Sequence, residues 1–132
     1  MIVLDSSALI AILYMEADAK ELLRALVDSR SKIMSAVNLL EASLVLAKAK
    51  GGGSIWDPLD AFLKESEVEI VAFDAWQAHI AREAFLQYGK GRHPASLNFG
   101  DCAAYALAKS KKARLLFKGS DFNKTDIIPA LR

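Results

Sequence analysis

The chain of 132 residues is 53% apolar and 25% charged, which predicts a single folded domain over residues 1–132 rather than a disordered chain. No apolar run exceeds the eight residues 8–15, which excludes a membrane span of about 18 residues, and an early Asp5 argues against a secretory signal. A net charge of +1 argues against a strongly basic nucleic-acid-binding domain. The single Cys102 excludes an internal disulfide, and the lack of a disulfide fits a cytoplasmic protein.

Four short clusters of apolar and β-branched residues predict strands. They occupy residues 2–4, 32–35, 68–73 and 115–117, and residues 127–128 form a weaker fifth. Helical patterns separate the first four strands, and such alternation is typical of parallel strands joined by right-handed crossovers. We therefore expect an α/β fold, a three-layer α/β/α sandwich with a mainly parallel central sheet.

Leucine and alanine recur at spacings of three and four between these strands, which predicts helices with one apolar face. The predicted helices span residues 8–15, 19–28, 38–50, 56–66, 75–88 and 98 or 99 to 111. In the third helix Leu40, Leu44 and Ala47 form the apolar stripe, and Asn38 is the expected N-cap. The glycine-rich residues 51–54 that follow predict either a loop or a helix stop.

Four carboxylates are predicted to lie at one edge of this sheet. Asp5 ends the first strand and Asp121 follows the fourth. Glu41 and Asp101 lie in the first turns of two of the predicted helices. Because ligands of open parallel sheets bind at the carboxyl ends of the strands, all four side chains can face the same edge. Four carboxylates repel one another unless a cation neutralises them, and Mg²⁺ or Mn²⁺ prefers such oxygen ligands.

Each of these acids also has a purely local interpretation. Asp5 is a suitable cap for a helix that begins near Ser7, and Asp121 suits a turn. Glu41 and Asp101 suit the positive end of a helix dipole. For any one acid alone the local interpretation is the stronger, whereas the spacing of the whole set favours a metal site.

Four sequence blocks resemble, in their order, the PIN domain family, and specifically its stand-alone VapC-type toxin ribonucleases. The blocks are residues 2–9 (IVLDSSAL), 35–42 (SAVNLLEA), 88–95 (YGKGRHPA) running into 97–102 (LNFGDC), and 115–122 (LLFKGSDF). Together they extend the resemblance over the whole chain. A single strand followed by Asp-Ser is weak support, but four blocks in the family's order are strong support.

The resemblance implies strand order 3-2-1-4-5 and a Mg²⁺- or Mn²⁺-dependent endoribonuclease that is the toxin of a toxin–antitoxin pair. The catalytic and metal-binding acids that it implies are Asp5, Glu41, Asp101 and Asp121. Ser7 matches the hydroxyl that would orient a carboxylate or a metal-bound water. The resemblance also implies a homodimer and a small cognate antitoxin that blocks the site. Many members carry a further acid before the fourth Asp, but this chain has Ser120 there, which argues against a tightly held second metal.

The charge is distributed unevenly along the chain. Residues 88–132 hold nine basic and three acidic residues, against eight basic and 13 acidic in residues 1–87. The loop with Lys90, Arg92 and His93 is an ordinary solvated loop or, as the resemblance favours, an RNA contact. Lys118 is either a counter-ion for the acidic cluster or a phosphate contact. Near-neutral total charge therefore does not exclude a nuclease that obtains positive charge from a metal.

Two interpretations from other functional classes remain. A phosphoacceptor receiver module has this size, a parallel sheet and an Asp after the first strand, but it needs a pair of acids there, and Asp5 is followed by Ser6 and Ser7. An inactive PIN domain that keeps only an interaction surface is the second, and the presence of all four acids weakens it. RNA cleavage that a chelator abolishes would separate the nuclease from both.

Overall fold

The protein is described by a computed structural model that covers residues 1–49 and 54–131. In chain order the elements are β1 (Ile2–Leu4), α1 (Ser6–Leu13), α2 (Ala19–Asp28), β2 (Lys32–Ser35), α3 (Ala36–Ala49), α4 (Asp57–Glu65), β3 (Val68–Val71), α5 (Ala75–Tyr88), α6 (Phe99–Lys111), β4 (Arg114–Leu116) and a short 3₁₀ helix (Asp121–Lys124). None of the helices in these ranges is long and apolar enough to cross a membrane. Except for Ser54, the predicted loop or helix stop lies outside the described residues.

The four strands are all parallel and lie in the order β3-β2-β1-β4. Central strand β1 pairs through Ile2 with Lys32 of β2 and Arg114 of β4. In place of the weak fifth strand, the described residues show one isolated parallel bridge, between Leu115 and Pro129. In this bridge the N–H of Leu115 donates to the carbonyl of Ile128 at 3.0 Å, and the N–H of Ala130 donates to the carbonyl of Leu115 at 2.9 Å. The expected parallel α/β class is confirmed, with its fifth strand reduced to a bridge.

Side chains of the strands alternate between two buried layers. Val3, Ile33 and Leu115 pack in the layer that contains α5 and α6. Their neighbours in the strands pack against α1, α2 and α4; they are Ile2, Leu4, Met34 and Leu116. Burial of each such side chain contributes about 1.5–3 kcal/mol to stability, and burial on both faces is typical of a parallel sheet. This arrangement confirms the expected three-layer sandwich.

Most helix bounds agree with the sequence pattern to within two residues. Helices α2 and α5 have their predicted bounds. Asp74 caps α5 by accepting a hydrogen bond from the N–H of Gln77 at 2.9 Å, and Gly89 follows the last residue of that helix. Helix α1 begins at Ser6, two residues earlier than predicted, because Asp5 caps it.

The start of α3 differs from the prediction. The helix begins at Ala36, so Asn38 lies inside its first turn, and the prediction of Asn38 as N-cap is wrong. Ser35, the last residue of β2, accepts a hydrogen bond from the N–H of Val37 at 3.2 Å through its Oγ. Ser35 and Asn38 are both residue types that favour the N-cap position. Ser35, at the end of β2, is the one whose side chain accepts from a backbone N–H of the first turn.

The buried face of α3 also differs from the predicted stripe. The buried residues of this helix are Asn38 and Ala42, whereas Leu40 and Leu44 are 59% and 52% exposed. The period of the apolar positions was therefore informative about the helix but not about which face packs inward. As a result, α3 directs a polar amide into the protein and presents leucines on its surface.

Candidate functional site

The carboxyl edge of the sheet brings the four predicted acids together. Asp5 directly follows β1, Glu41 lies in the second turn of α3, Asp101 lies in the first turn of α6, and Asp121 begins the 3₁₀ helix after β4. Burial is the main cause of raised pKa values at Asp5 and Asp101, and the charges of the neighbouring acids raise both further. All four carboxylates therefore lie within electrostatic range of at least one other.

Asp5 is the most buried of these acids, at 2% exposure. Its backbone N–H donates to the carbonyl of Leu116 at 2.9 Å, and its Oδ2 accepts hydrogen bonds from the N–H and the Oγ of Ser7. Its Oδ1 is buried and has no hydrogen-bond partner among the described residues. Burial raises the pKa of Asp5 to about 7, the Ser7 hydrogen bonds oppose this, and the charges of Asp101 and Glu41 add to it. A hard cation would satisfy the unpaired oxygen.

Glu41 is held by donors from two helices. Ser6 Oγ donates to Glu41 Oε1, and Asn38 Nδ2 donates to the same oxygen at 3.2 Å. The carboxylate lies directly against the Cα atom of Gly100, where the methyl group of an alanine would overlap it. Oε2 receives no hydrogen bond in the part of the chain that the structure describes. Glu41 is therefore fixed through one oxygen, while the other has no donor.

Asp101 forms a capping box with Asn98 at the start of α6. Asn98 Oδ1 accepts from the N–H of Asp101 at 2.9 Å, and Asp101 Oδ2 accepts from the N–H of Asn98 at 3.0 Å. Burial raises the pKa of Asp101, the hydrogen bond from Asn98 opposes this, and the charges of Glu41 and Asp121 raise it further. The local capping role of Asp101 and its place in the acidic group are thus compatible.

Three of the acids share one arrangement: Asp5, Glu41 and Asp101 each use one oxygen for a local hydrogen bond and leave the other without a donor. Across residues 1–49 and 54–131, no three His, Cys, Asp or Glu side chains form a group that could hold an ion as they stand. The carboxylates therefore interact without forming a closed coordination shell. Their donor set consists of oxygen alone, which suits a hard divalent cation.

Ser7 connects Asp5 to the loop that follows β4. Its Oγ donates to Asp5 Oδ2 and accepts from the backbone N–H of Lys118 at 3.0 Å. The ammonium of Lys118 instead pairs with Glu16 and lies 3.6 Å from Asp18 Oδ1. Lys118 is therefore a counter-ion for the α1–α2 turn rather than for the four acids, which corrects that sequence interpretation.

The predicted RNA-contact residues lie in the loop between α5 and α6. Lys90 and Arg92 are exposed. His93 is half-buried, its ring packs edge-on against Tyr88 with centroids 5.2 Å apart, and its Nδ1 accepts from the N–H of Ala95 at 3.0 Å. Among the residues described, no hydrogen bond or ion pair connects these three side chains to the four acids. His93 thus orders the loop, and the two exposed cations are available to a ligand.

Three residues of the site are absent from the sequence prediction of site residues: Ser6, Asn38 and Gly100. Asn38 is fully buried, and its amide donates both to Glu41 Oε1 and to the carbonyl of Gly100 at 3.0 Å. The spacing of three residues between Asn38 and Glu41 was the available indication, because such pairs share a helix face. The contact with Gly100 depends on how α3 packs against α6, which no local pattern specifies.

An apolar groove of about 450 Å³ adjoins Glu41. Its apolar lining includes Leu40, Leu44 and Val45 of α3 and Phe99 of α6. Phe99 is 80% exposed, although it is directly followed by Gly100 and Asp101 of the site. Contiguous exposed apolar side chains of this kind are typical of a surface that contacts another molecule.

Known proteins resemble this chain in both sequence and fold. The PIN domain family model matches residues 2–128. Ribonuclease VapC of Mycolicibacterium smegmatis is 47% identical over 127 residues, which are 95% of this chain and 96% of the relative. VapC20 of Mycobacterium tuberculosis, a Sarcin-Ricin loop cleaving toxin, has a TM-score of 0.78 at 18% identity over 100% of both chains. VapBC2 of Rickettsia felis, bound to a DNA fragment from its promoter, has a TM-score of 0.73 at 22% identity over 99% of this chain and 96% of that one.

Proposed function

The chain belongs to the PIN domain family, and we propose on that premise that it is a metal-dependent endoribonuclease, the toxin of a toxin–antitoxin pair. The observation that carries the proposal is the group of four coupled carboxylates, in which Asp5 keeps a buried oxygen without a donor. The relative from Mycolicibacterium smegmatis, which matches over almost its full length, is itself a ribonuclease by name.

The residues that would hold Mg²⁺ or Mn²⁺ are Asp5, Glu41, Asp101 and Asp121. When bound, such an ion lowers the pKa of a water molecule and offsets negative charge on the scissile phosphate. The protein contributes orientation: Ser7 fixes Asp5, and Asn98 fixes Asp101. Each of these hydrogen bonds engages one carboxylate oxygen and leaves the other available for a cation.

We assign RNA as the substrate, with its backbone contacting Lys90 and Arg92. Both side chains are exposed, and Gly89 and Gly91 in the same loop allow a close approach of the backbone. His93 contributes to this contact by ordering the loop through its packing on Tyr88. Removing the charge of Lys90 or Arg92 should therefore weaken RNA binding and reduce its salt dependence.

The groove beside Glu41 supports the proposal that the protein binds other proteins. We propose that it forms a homodimer and that a small antitoxin blocks the site. We also propose that the protein is cytoplasmic. Leu40, Leu44 and Phe99 expose more than half of their surface in the groove, and such side chains are stabilised when a second protein covers them. Light scattering after gel filtration should give the mass of a dimer for the wild type. Leu44→Asp should shift the mass toward that of a monomer, while Ile128→Asp, at an exposed apolar side chain outside the groove, should leave it unchanged.

Incubation of the purified protein with RNA in Mn²⁺ or in EDTA tests the main proposal. Cleavage is expected in Mn²⁺, loss of cleavage in EDTA, and recovery when excess Mn²⁺ is restored. A stable aspartyl phosphate formed from acetyl phosphate would instead indicate a receiver module. A folded protein that leaves RNA intact in Mn²⁺ would indicate an inactive PIN domain. If the RNA is cleaved, sequencing its ends would identify the target and the cleavage site.

A further inference from the structure

We propose that Asn38 and Gly100 are positioning residues that fix the Glu41 carboxylate in the orientation required for metal binding. We refer to this pair as the Asn38–Gly100 clamp. The inference rests on the proposed metal-dependent function and concerns how α3 and α6 assemble the site. Asn38 acts by donating hydrogen bonds, and Gly100 acts by leaving space.

The hydrogen bonds of Asn38 determine its orientation. The side chain is 0% exposed, and Nδ2 donates to Glu41 Oε1 at 3.2 Å and to the Gly100 carbonyl at 3.0 Å. Since both acceptors need an N–H, the amide cannot be reversed. Its Oδ1 is consequently left buried and without a partner among the described residues, which is unfavourable for folding. A leucine, which has the same branched arrangement of heavy atoms, would avoid that cost, so stability alone does not account for an asparagine here.

Gly100 is also unfavourable for folding by itself. It lies in the first turn of α6, where alanine is the better helix former. A methyl group at this position would overlap the Glu41 carboxylate, and nothing else is equally close. Glycine thus permits Glu41 to rest against the α6 backbone, to which Asn38 is bonded. Two independent features, a hydrogen bond and a missing side chain, therefore act on the same carboxylate.

The clamp also selects which oxygen of Glu41 is available. Oε1 accepts from both Ser6 and Asn38, whereas Oε2 receives no hydrogen bond from the residues described. Oε2, the atom of Glu41 that lies closest to Gly100, is therefore the oxygen that would bind a cation without losing a hydrogen bond. Without the Asn38 amide, the glutamate side chain regains rotamers that direct this oxygen elsewhere, and the cation must restrict them when it binds.

Mn²⁺ titration of the full-length protein, followed by the electron paramagnetic resonance signal of free Mn²⁺, measures the clamp directly. Asn38→Leu keeps the number and branching of the heavy atoms and removes both donors, so we expect Mn²⁺ affinity to fall about 10- to 100-fold. Gln77→Met is the matched control. Gln77 is 3% exposed, donates to the carbonyl of Ala72 at 3.1 Å and has a buried Oε1 without a partner among the described residues, but it lies on α5 and forms no hydrogen bond with the four acids there. We expect wild-type Mn²⁺ affinity from it.

Gly100→Ala tests the second residue of the clamp. It keeps the clamp testable if Asn38→Leu does not fold. Its methyl group meets the flexible end of Glu41, so the helix should form while the carboxylate is displaced. We expect weaker Mn²⁺ binding with unchanged or higher thermal stability, a combination that general destabilisation does not produce. In a Glu41→Gln background, neither Asn38→Leu nor Gly100→Ala should weaken binding further.

The outcomes separate the clamp from the proposed function. Wild-type protein that binds no Mn²⁺ overturns both. Wild-type protein that binds Mn²⁺ and cleaves RNA, together with a folded Asn38→Leu or Gly100→Ala variant of wild-type affinity, overturns the clamp alone. Effects of equal size with and without the Glu41 carboxylate would also overturn it, because they would show that the clamp does not act through Glu41.

Discussion

Helix α6 contacts acids in two contrasting environments, one at each end. At its start, Asp101 lies near Glu41 and Asp121, and no ion pair among the described residues involves these acids. Further along, Tyr105 Oη and Lys109 Nζ donate to the two oxygens of Asp126, at 2.7 Å and 2.8 Å. Both oxygens of Asp126 are thus satisfied by the protein, whereas Asp5, at the other end of the helix, has an oxygen that no described residue satisfies.

The pKa values of these acids shift in opposite directions. Partial burial acts to raise the pKa of Asp126, but the hydrogen bonds from Lys109 and Tyr105 hold it below its ordinary value. Burial raises the pKa of Asp5 to about 7, and the nearby carboxylates contribute to the rise. We expect an acid that is paired with a cation of the protein to stabilise the fold, and the grouped acids to destabilise the metal-free fold and to bind an external cation. Four experiments test this contrast.

The largest expected effect comes from the same substitution made at the two ends of α6. Asp101→Asn should reduce Mn²⁺-dependent RNA cleavage by about 1,000-fold, since it removes a charged ligand from the site. Asp126→Asn should leave cleavage unchanged, because Asp126 is already paired with Lys109. Single-turnover cleavage assays, with folding checked by circular dichroism, provide the measurement. Equal losses in the two variants would contradict the contrast.

Asp5→Asn should stabilise the metal-free protein while abolishing cleavage. The unfolded carboxyl ionises near 3.8 and the folded one near 7, so wild-type stability falls as the pH rises between these values and stays low above them. The gain from asparagine should therefore be smallest near pH 4 and reach up to about 4 kcal/mol above pH 7. Urea unfolding in EDTA across this range measures it. A gain that does not grow with pH would show that burial of the charge is not its cause.

Mn²⁺ should stabilise the wild-type fold at neutral pH. At 100 times the dissociation constant the expected increase is about 2.7 kcal/mol, because the ion binds only the folded state. Thermal unfolding with and without Mn²⁺ measures the increase. It should disappear in Asp101→Asn and persist in Asp126→Asn; an increase that persists in Asp101→Asn would place the ion elsewhere.

The smallest effect is expected at the paired acid. Tyr105→Phe removes the hydroxyl that donates to Asp126 and should cost about 1 kcal/mol of unfolding free energy. Lys109→Met should cost less than about 1 kcal/mol, because this ion pair is largely exposed. Urea unfolding gives both values, and neither variant should change Mn²⁺ affinity. A change in Mn²⁺ affinity in either variant would show that the contacts of Asp126 influence the proposed metal site at the other end of α6.

Local sequence patterns were sufficient for the four strands and most helices. The apolar cluster of residues 2–4 and the cap Asp5 of α1 follow from short-range preferences, and the structure agrees with them. Asp5 and Asp121 follow from topology, because a residue just after a parallel strand must lie at its carboxyl edge. The resemblance to a known family indicated the same acids.

The features that the sequence did not predict depend on how the helices and loops pack against one another. The stripe with Leu40 and Leu44 marks an apolar face of α3, but burial of the opposite face depends on the Asn38 contact with Gly100. Lys118 follows β4 as predicted, yet its side chain turns to Glu16, which is more than 100 residues away in the chain. No local sequence pattern can predict a contact between residues that are so far apart in the chain.

The backbone of Asp5 links the site to the centre of the fold. Its N–H donates to Leu116 of β4, and its side chain caps α1, so the most buried carboxylate belongs to the central strand pair. Amide hydrogen exchange at Asp5 should therefore occur only when the whole sheet opens. The N–H groups of Lys90 and Arg92 donate to carbonyls within their own exposed loop, so they should exchange after local opening alone. The carboxylate that we propose as a metal ligand is thus fixed to the centre of the sheet, whereas the proposed RNA contacts Lys90 and Arg92 lie on an exposed loop.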